Sequence, residues 1–92
     1  MARKLKYKEL KPYREAALNE QKGIDPISHL PITDPVLDHD HVTGHIRQVL
    51  QRETNAFEGK AINAFNRYCR HLGISAEDAL IGLIEYWILH YS

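Results

Sequence analysis

The sequence of 92 residues contains a single cysteine and a single tryptophan. One cysteine excludes both an intramolecular disulfide framework and a zinc site built mainly from cysteines. A chain of this length is predicted to form one small domain, which excludes large cofactor-binding folds such as doubly wound sheets and barrels. Such a domain depends on close helix packing or on a partner chain for its stability.

The sequence also lacks a long apolar run. The longest apolar segment, residues 79–89, is interrupted by Glu85 and is too short to span a bilayer. The basic N-terminus is not followed by the apolar core of a signal peptide. Together with the unpaired cysteine, these absences predict a cytoplasmic protein without a membrane partner.

Net charge is zero, from 12 Lys+Arg and 12 Asp+Glu, so the total charge does not indicate a nucleic-acid binder. The distribution is uneven, because residues 1–14 carry six cations and one anion. Residues 71–92 carry three anions and no Lys or Arg. The basic N-terminal arm suits either phosphate contacts or a solvated terminus. Its candidate DNA contacts are Lys4, Lys6 and Lys8.

Periodicity and turn residues predict an α+β fold that is mainly helical, with a β-hairpin between an N-terminal and a C-terminal helical part. The prediction is one domain over residues 1–92, comprising a basic arm and helix (1–22), a loop (23–35), a hairpin with the start of a helix (36–59) and a helical remainder (60–92). The predicted elements are a helix near 9–21 with Pro12 in its first turn, strands 36–41 and 45–50, a helix over 54–72 and a helix from 76 to 91.

The third predicted helix carries more apolar residues than one face needs. Its apolar positions recur at three- and four-residue spacing, and Ile81 and Leu89 lie outside that stripe. One interpretation is a core helix, and the other is a surface that packs against a second protomer. Ser75, with Asp78 three residues later, resembles a capping box at the start of this helix.

The segment most informative about chemistry is the run Asp38-His39-Asp40-His41 at the end of the first strand. Alternation along a strand places the two carboxylates on one face, which outlines a site for a hard cation. The two imidazoles on the other face offer a general base. A bulge beside the site would allow neighbouring residues to reach one substrate. The alternatives are a solvated turn and a structural metal site of His39, His41 and Asp40.

Asn55 and Glu58 are predicted in the first turn of the second helix, three residues apart and therefore on one face. A helix packed against the hairpin brings an amide oxygen and a carboxylate near the strands, and its N-terminus favours a phosphate anion. A hairpin with Asp-His on a strand and Asn on the following helix is the layout of a ββα-metal nuclease.

These residues resemble a known family. The ordered pattern Leu37-Asp38-His39-Asp40-His41, Gly44, Ile46-Arg47, Val49-Leu50, Asn55 and Glu58-Gly59 is similar to the phage recombination endonuclease VII family, within the His-Me finger (HNH) superfamily. The resemblance covers about residues 20–60. It implies a hairpin and helix that grip one divalent cation, Mg²⁺ or Mn²⁺.

The resemblance also implies roles for individual residues. Asp38 and Asn55 are expected to ligate the cation, and His39 is expected to be the general base that activates water. His41 and Glu58 are expected to support the site by orienting the phosphate or bound waters. For Arg47 the resemblance implies either a phosphate contact or a structural clamp.

The sequence departs from the family at its structural zinc site. Typical members hold zinc with two Cys-x-x-Cys pairs, whose positions here are occupied by Asp25, Ser28, Gln51 and Thr54. These side chains do not form a zinc cage, so no structural zinc is predicted. We expect them to link the two segments by hydrogen bonds instead.

The predicted function is a metal-dependent DNA endonuclease of the phage type, acting on branched or duplex DNA, including four-way Holliday junctions, as a homodimer. His45, just after the turn, is a further candidate DNA contact. The alternatives are a non-catalytic DNA-binding or protein-interaction module with the same shape, and a small structural metal-binding protein.

Overall fold

The structure is a computed structural model that describes residues 7–40 and 43–91, with side chains from residue 9 onward. It contains three helices and one antiparallel hairpin and is 59% helical, which confirms the predicted α+β, mainly helical fold. The elements are α1 (Tyr7–Glu20), β1 (Pro35–His39), β2 (Ile46–Gln51), α2 (Arg52–Tyr68), a 3₁₀ helix (Arg70–Leu72) and α3 (Ala76–Tyr91). No helix within these residues is both long and apolar enough to cross a membrane.

Helix α1 begins two residues earlier than predicted, so the expected place of Pro12 in the first turn is wrong. Pro12 is the sixth residue of the helix. Since proline has no N–H, the carbonyl of residue 8 loses its usual helical donor there. The helix ends as predicted before Gly23, whose φ of 70° is left-handed and whose N–H donates to the Leu18 carbonyl at 2.9 Å.

The two strands form a hairpin with one irregularity. The paired residues are Pro35 with Gln51, Val36 with Leu50, Leu37 with Val49, and His39 with Ile46. Between the last two pairs, β1 contributes only Asp38 whereas β2 contributes Arg47 and Gln48, which is a β-bulge in β2. A bulge therefore lies beside Asp38 at the end of β1.

The contacts divide the chain into two compact units, Met1–Ala56 and Phe57–Ser92. The single domain over residues 1–92 stays a prediction. In the first unit α1 packs against both strands of the hairpin. Its buried apolar residues are Val49 and Leu50, and two acidic residues, Asp25 and Asp38, are buried as well.

Side chains cover the outer edge of β2, on the side away from β1. The Gln21 amide accepts the Val49 N–H at 2.7 Å and donates to the Val49 carbonyl at 2.8 Å. Two residues further along, the Gln51 N–H donates to the Asp25 carboxylate at 3.4 Å. The end of α1 and the following loop are thus hydrogen-bonded to the hairpin through its main chain.

The second unit differs from the sequence prediction in its packing. Its first helix ends at Tyr68 and is followed by the 3₁₀ helix, whereas one helix was predicted through residue 72. Ser75 caps α3 as predicted, since its hydroxyl accepts the Asp78 N–H at 3.0 Å. Neither α2 nor α3 contains a buried residue within the part of the chain that the structure describes.

The interpretation of α3 as a core helix is therefore wrong for this chain. On this helix Trp87 is 48% exposed, and Leu89 is 76% exposed. The spacing of apolar residues identifies a helix and its apolar faces, but it does not identify what covers them. The second-protomer interpretation stays a prediction.

Candidate functional site

The predicted catalytic residues of the first strand lie at its end, beside the bulge. Asp38 is buried, and the next residue, His39, is exposed at the last position of β1. The alternation predicted for these two side chains is confirmed. The bulge places both Arg47 and Gln48 opposite Asp38, because β2 has one more residue than β1 between the flanking pairs.

Asp38 and Arg47 form a two-point ion pair across the hairpin. The Arg47 Nε lies 2.7 Å from Asp38 Oδ2, and the Arg47 Nη2 donates to Asp38 Oδ1 at 3.1 Å. The Asp38 side chain is 11% exposed and the Arg47 side chain 43% exposed. The carboxylate is therefore held in one orientation and neutralised by a guanidinium that remains accessible to solvent.

Asp40, the second carboxylate predicted for the cation, orders the turn of the hairpin. Its Oδ1 accepts the Thr43 N–H at 3.0 Å, and its backbone N–H donates to the His45 carbonyl at 2.7 Å. Gly44 closes the turn with a φ of 74° and a 2.8 Å hydrogen bond to the Asp40 carbonyl. These contacts fix the position of the strand end, and the role of Asp40 as a cation ligand stays a prediction.

Asn55 and Glu58 lie on α2, which follows β2 directly without a loop. Because α2 begins at Arg52, Asn55 ends its first turn, and the placement of Glu58 in that turn is wrong: Glu58 lies in the second turn. Both side chains are half-buried. Asn55 belongs to the same compact unit as Asp38, whereas Glu58 belongs to the second unit.

Several predicted site residues lie outside the described residues or side chains. His41, Lys4 and Lys6 are outside them, and for Lys8 the structure describes the backbone of α1 alone. His45 is exposed beside the turn. Within the ranges 7–40 and 43–91, no group of three or more His, Cys, Asp or Glu residues is placed to hold a metal ion. The predicted roles of all these residues stay predictions.

The donor types of the two predicted ligands fit a hard cation. Asp38 offers a carboxylate and Asn55 an amide oxygen, and oxygen donors of this kind suit Mg²⁺, which is bound through one or two carboxylates together with substrate phosphates. The residue that follows Asp38 along β1 is His39, whose imidazole is exposed. The arrangement suits hydrolysis of a phosphate ester better than nucleophilic catalysis by a side chain.

The family model described as recombination endonuclease VII matches residues 4–87, which is most of the chain. The chain belongs to the recombination endonuclease VII family. No curated protein matches the sequence. The family is one of DNA-cleaving enzymes, so DNA is its partner.

The match extends beyond the hairpin to both flanking helical parts, whereas the resemblance seen in the sequence covered about residues 20–60. At the positions where that resemblance expects the zinc cysteines of the endonuclease VII family, Asp25 is fully buried. The Thr54 hydroxyl and the Gln51 N–H both donate to Asp25 Oδ2. The expectation that hydrogen bonds join these two segments is confirmed for these three residues.

The Ser28 side chain was expected to help join the two segments, but it does not. Its hydroxyl accepts the Leu30 N–H at 3.2 Å, within its own loop. The Gln51 side chain is directed to the other end of the loop, where it accepts the N–H groups of Thr33 at 2.8 Å and Asp34 at 3.0 Å. Residue spacing indicated which positions are neighbours but not which atoms pair.

The surroundings of Asp25 shift the pKa of its carboxyl group. Burial by itself raises the pKa of the Asp25 carboxyl, but hydrogen bonds from Thr54 and from three backbone N–H groups outweigh burial and lower that pKa below its ordinary value. The carboxylate form is therefore the one that the fold stabilises.

Sequence reasoning missed two contacts of this endonuclease VII family member. One is Gln21, whose amide pairs with the main chain of Val49. The other is the pairing of Arg47 with Asp38, since Arg47 was expected to contact phosphate or to act as a clamp without a named partner. Only the bulge, which sequence does not locate, brings Arg47 opposite Asp38.

Proposed function

We propose that the protein is a metal-dependent DNA endonuclease that hydrolyses phosphodiester bonds at the bulged end of its hairpin. Membership of the recombination endonuclease VII family supports DNA cleavage. The observation that carries the proposal is the adjacent placement of a buried carboxylate, Asp38, and an exposed imidazole, His39, at one strand end. A fixed oxygen ligand beside an accessible base is what water activation at a phosphate requires.

Asp38 and Asn55 would hold the cation, Mg²⁺ or Mn²⁺, through their oxygen atoms. When bound, the cation supplies Lewis-acid stabilisation of the negative charge that develops on the phosphate and the leaving oxygen. Asp38 would act as a fixed anchor because it is buried, whereas Asn55 is positioned by the first turn of α2. The start of that helix adds a partial positive charge that favours phosphate.

His39 would take a proton from the attacking water. Its exposed position at the end of β1 leaves the imidazole accessible to a DNA backbone. His41 and Glu58 would orient the phosphate or the water. Arg47 and His45 would contact DNA phosphates near the turn, and the N-terminal residues Lys4, Lys6 and Lys8 would extend that contact. The match to a recombination endonuclease supports branched DNA as the substrate.

We also propose that the active form is a homodimer assembled through α3. From Leu80 to Tyr91 every side chain of α3 is exposed, and Glu85 is the only Asp, Glu, Lys or Arg of that stretch. A helix that is apolar around its whole circumference is normally covered by protein. A second copy of the chain would cover this surface and would also supply a second catalytic site. Two catalytic sites are required to cut both strands of a junction.

The central experiment incubates a four-way junction and a supercoiled plasmid with the wild-type protein and His39→Ala, in Mg²⁺ and in EDTA. We expect wild-type cleavage in Mg²⁺ and none in EDTA. His39→Ala should cut more slowly by about 10²- to 10⁴-fold, the range for loss of a general base. The variant should still bind the junction, because the imidazole acts on water rather than on DNA affinity.

His71→Ala is the matched control, since His71 is an exposed histidine in the 3₁₀ helix away from the hairpin sequence. It should cut at the wild-type rate. Junction binding without cleavage in either Mg²⁺ or Mn²⁺ would support a non-catalytic binding module instead. Unchanged cutting by His39→Ala would show that another group is the base.

A further inference from the structure

The ion pair between Asp38 and Arg47 occupies the carboxylate that the proposed function assigns to the cation. Both carboxylate oxygens are engaged by one guanidinium, at 2.7 and 3.1 Å. Because Asp38 is buried, it has little access to water as a replacement partner. An unpaired buried charge is costly, so Arg47 stabilises the charged form of Asp38 in the free protein.

A divalent cation on Asp38 would lie close to the Arg47 guanidinium. Like charges at such distances repel, and one carboxylate cannot neutralise three positive charges. Arg47 is 43% exposed and lies in the bulge, so its long side chain can leave Asp38 without disturbing the buried residues of the hairpin. Its planar fork, which matches a carboxylate here, matches a phosphate equally well.

We propose that Arg47 is an exchangeable counter-ion that couples cation binding to DNA binding. In the free protein Arg47 neutralises Asp38 and disfavours the cation. When DNA is bound, Arg47 transfers to a backbone phosphate and Asp38 becomes available. This inference rests on the proposed function, and it assigns Arg47 a positioning role that neither a simple phosphate contact nor a rigid clamp would have.

The test measures Mn²⁺ affinity by calorimetry and by electron paramagnetic resonance, without and with a four-way junction, so its readout is independent of cleavage. Arg47→Met removes the charge and keeps much of the side-chain length. Without DNA, we expect Arg47→Met to bind Mn²⁺ about tenfold more tightly or better, as expected when a neighbouring like charge is removed. Arg52→Met should bind Mn²⁺ as the wild type does.

Arg52 is a matched control because it also forms an ion pair, with Asp34, at 2.6 Å and with both partners at least half exposed. The arms with DNA use the His39→Ala background to keep the junction intact. There we expect DNA to tighten Mn²⁺ binding by a factor within the usual range for coupled sites, about 5- to 150-fold. The increase should be at least about fivefold smaller in Arg47→Met.

The outcomes separate the inference from the function on which it rests. If Asp38→Asn abolishes Mn²⁺ binding but Arg47→Met binds no more tightly than wild type, the proposed cation site stands and the exchange is wrong. If Mn²⁺ binding is absent or insensitive to Asp38→Asn in every variant, the cation site and the exchange both fail. If circular dichroism shows that Arg47→Met is unfolded, the deciding comparison is the coupling with Arg47 and with Arg47→Lys, both in the His39→Ala background. Lys keeps the charge without the fork. A wild-type coupling that Arg47→Lys retains in full would overturn the proposed fork-to-phosphate transfer.

Discussion

Asp25 connects three stretches of chain through a single buried carboxylate. Its oxygens accept hydrogen bonds from the Ile27 N–H in its own loop, the Gln51 N–H at the end of β2 and the Thr54 hydroxyl at the start of α2. Hydrogen bonds to a charged group contribute roughly 1.5–3 kcal/mol each. Polar contacts thus join the loop to the junction that leads from the hairpin to Asn55.

Thr54→Val should destabilise the protein by roughly 1.5–3 kcal/mol at pH 7, the cost of one hydrogen bond to a charged acceptor. The folded-state pKa of Asp25 lies below its ordinary value, so this stabilisation is fully present above about pH 4. It is lost as the pH falls through the folded-state pKa. Urea unfolding at pH 7 and at stepwise lower pH should therefore show the penalty of Thr54→Val shrinking in acid.

Ser28→Ala provides the comparison, because within residues 7–40 and 43–91 that hydroxyl bonds only to the exposed Leu30 N–H. It should change the free energy of unfolding by about 0.5 kcal/mol or less at either pH, as is usual for surface substitutions. A penalty for Thr54→Val that stays constant down to pH 2 would contradict the assignment of the hydrogen bond to the ionised carboxylate.

The placement of a side chain could be predicted from the sequence where strand alternation or the spacing of a family motif determines it. The opposite faces of Asp38 and His39 followed from alternation, and Asp25 with Thr54 followed from the spacing of the family's metal positions. The pairing of Arg47 with Asp38 could not be predicted, because it depends on one extra residue in β2. Side-chain partners across a hairpin depend on register, and a bulge changes the register locally.

At the scale of elements, the order of helices and strands was predictable because Gly, Pro and apolar spacing mark each boundary. The boundaries themselves shifted: β2 runs into α2 without a loop, where three connecting residues had been expected. Arg52 is held at this junction by its N–H bond to the Asp34 carbonyl at 3.0 Å. Such tertiary contacts extend a helix beyond what local propensity indicates.

Helix α1 is attached to the hairpin by Gln21. Gln21→Ala should remove both hydrogen bonds to Val49 and destabilise the protein by roughly 1–3 kcal/mol, at about 1 kcal/mol per neutral hydrogen bond. Hydrogen–deuterium exchange should show faster exchange of the Val49 amide, which loses its acceptor. Its partner across the hairpin, Leu37, should be affected much less.

Gln21→Glu separates hydrogen bonding from side-chain size, because a carboxylate still accepts the Val49 N–H but no longer donates to the Val49 carbonyl. The free energy of unfolding of Gln21→Glu should lie between that of the wild type and that of Gln21→Ala. Equal protection of the Val49 amide in Gln21→Ala and wild type would show that packing of α1, rather than Gln21, protects β2.

At the scale of the whole molecule, the sequence indicated a surplus of apolar surface but not its destination. Leu80, Ile84 and Ile88 follow helical spacing as a core face would, yet each is 45% exposed or more. A single sequence cannot distinguish a surface that is covered within the chain from one that is covered by another chain, since burial of apolar area is non-directional in both.

Leu89→Glu should convert a dimer into a monomer, because it introduces a charge into the apolar surface of α3. Leu89 is 76% exposed, so the substitution should leave the fold of the chain unchanged. Light scattering coupled to gel filtration should give twice the chain mass of 10.7 kDa for the wild type and the chain mass for the variant. The monomer should nick a junction on one strand only.

Leu30→Glu is the control, since Leu30 is an equally apolar residue that is 63% exposed in the loop of the first unit. It should remain dimeric. A monomeric wild type at the concentrations used for cleavage, with both strands still cut, would contradict assembly through α3.

The covered edge of β2 has a consequence for self-association. An open strand edge is a template on which extended segments of other molecules can add and from which fibrils grow. Gln21 and Asp25 already bond the main-chain groups of Val49 and Gln51 that such a segment would use. Two side chains thus take the place of a third strand, and they protect this edge of the sheet from templating with very few residues.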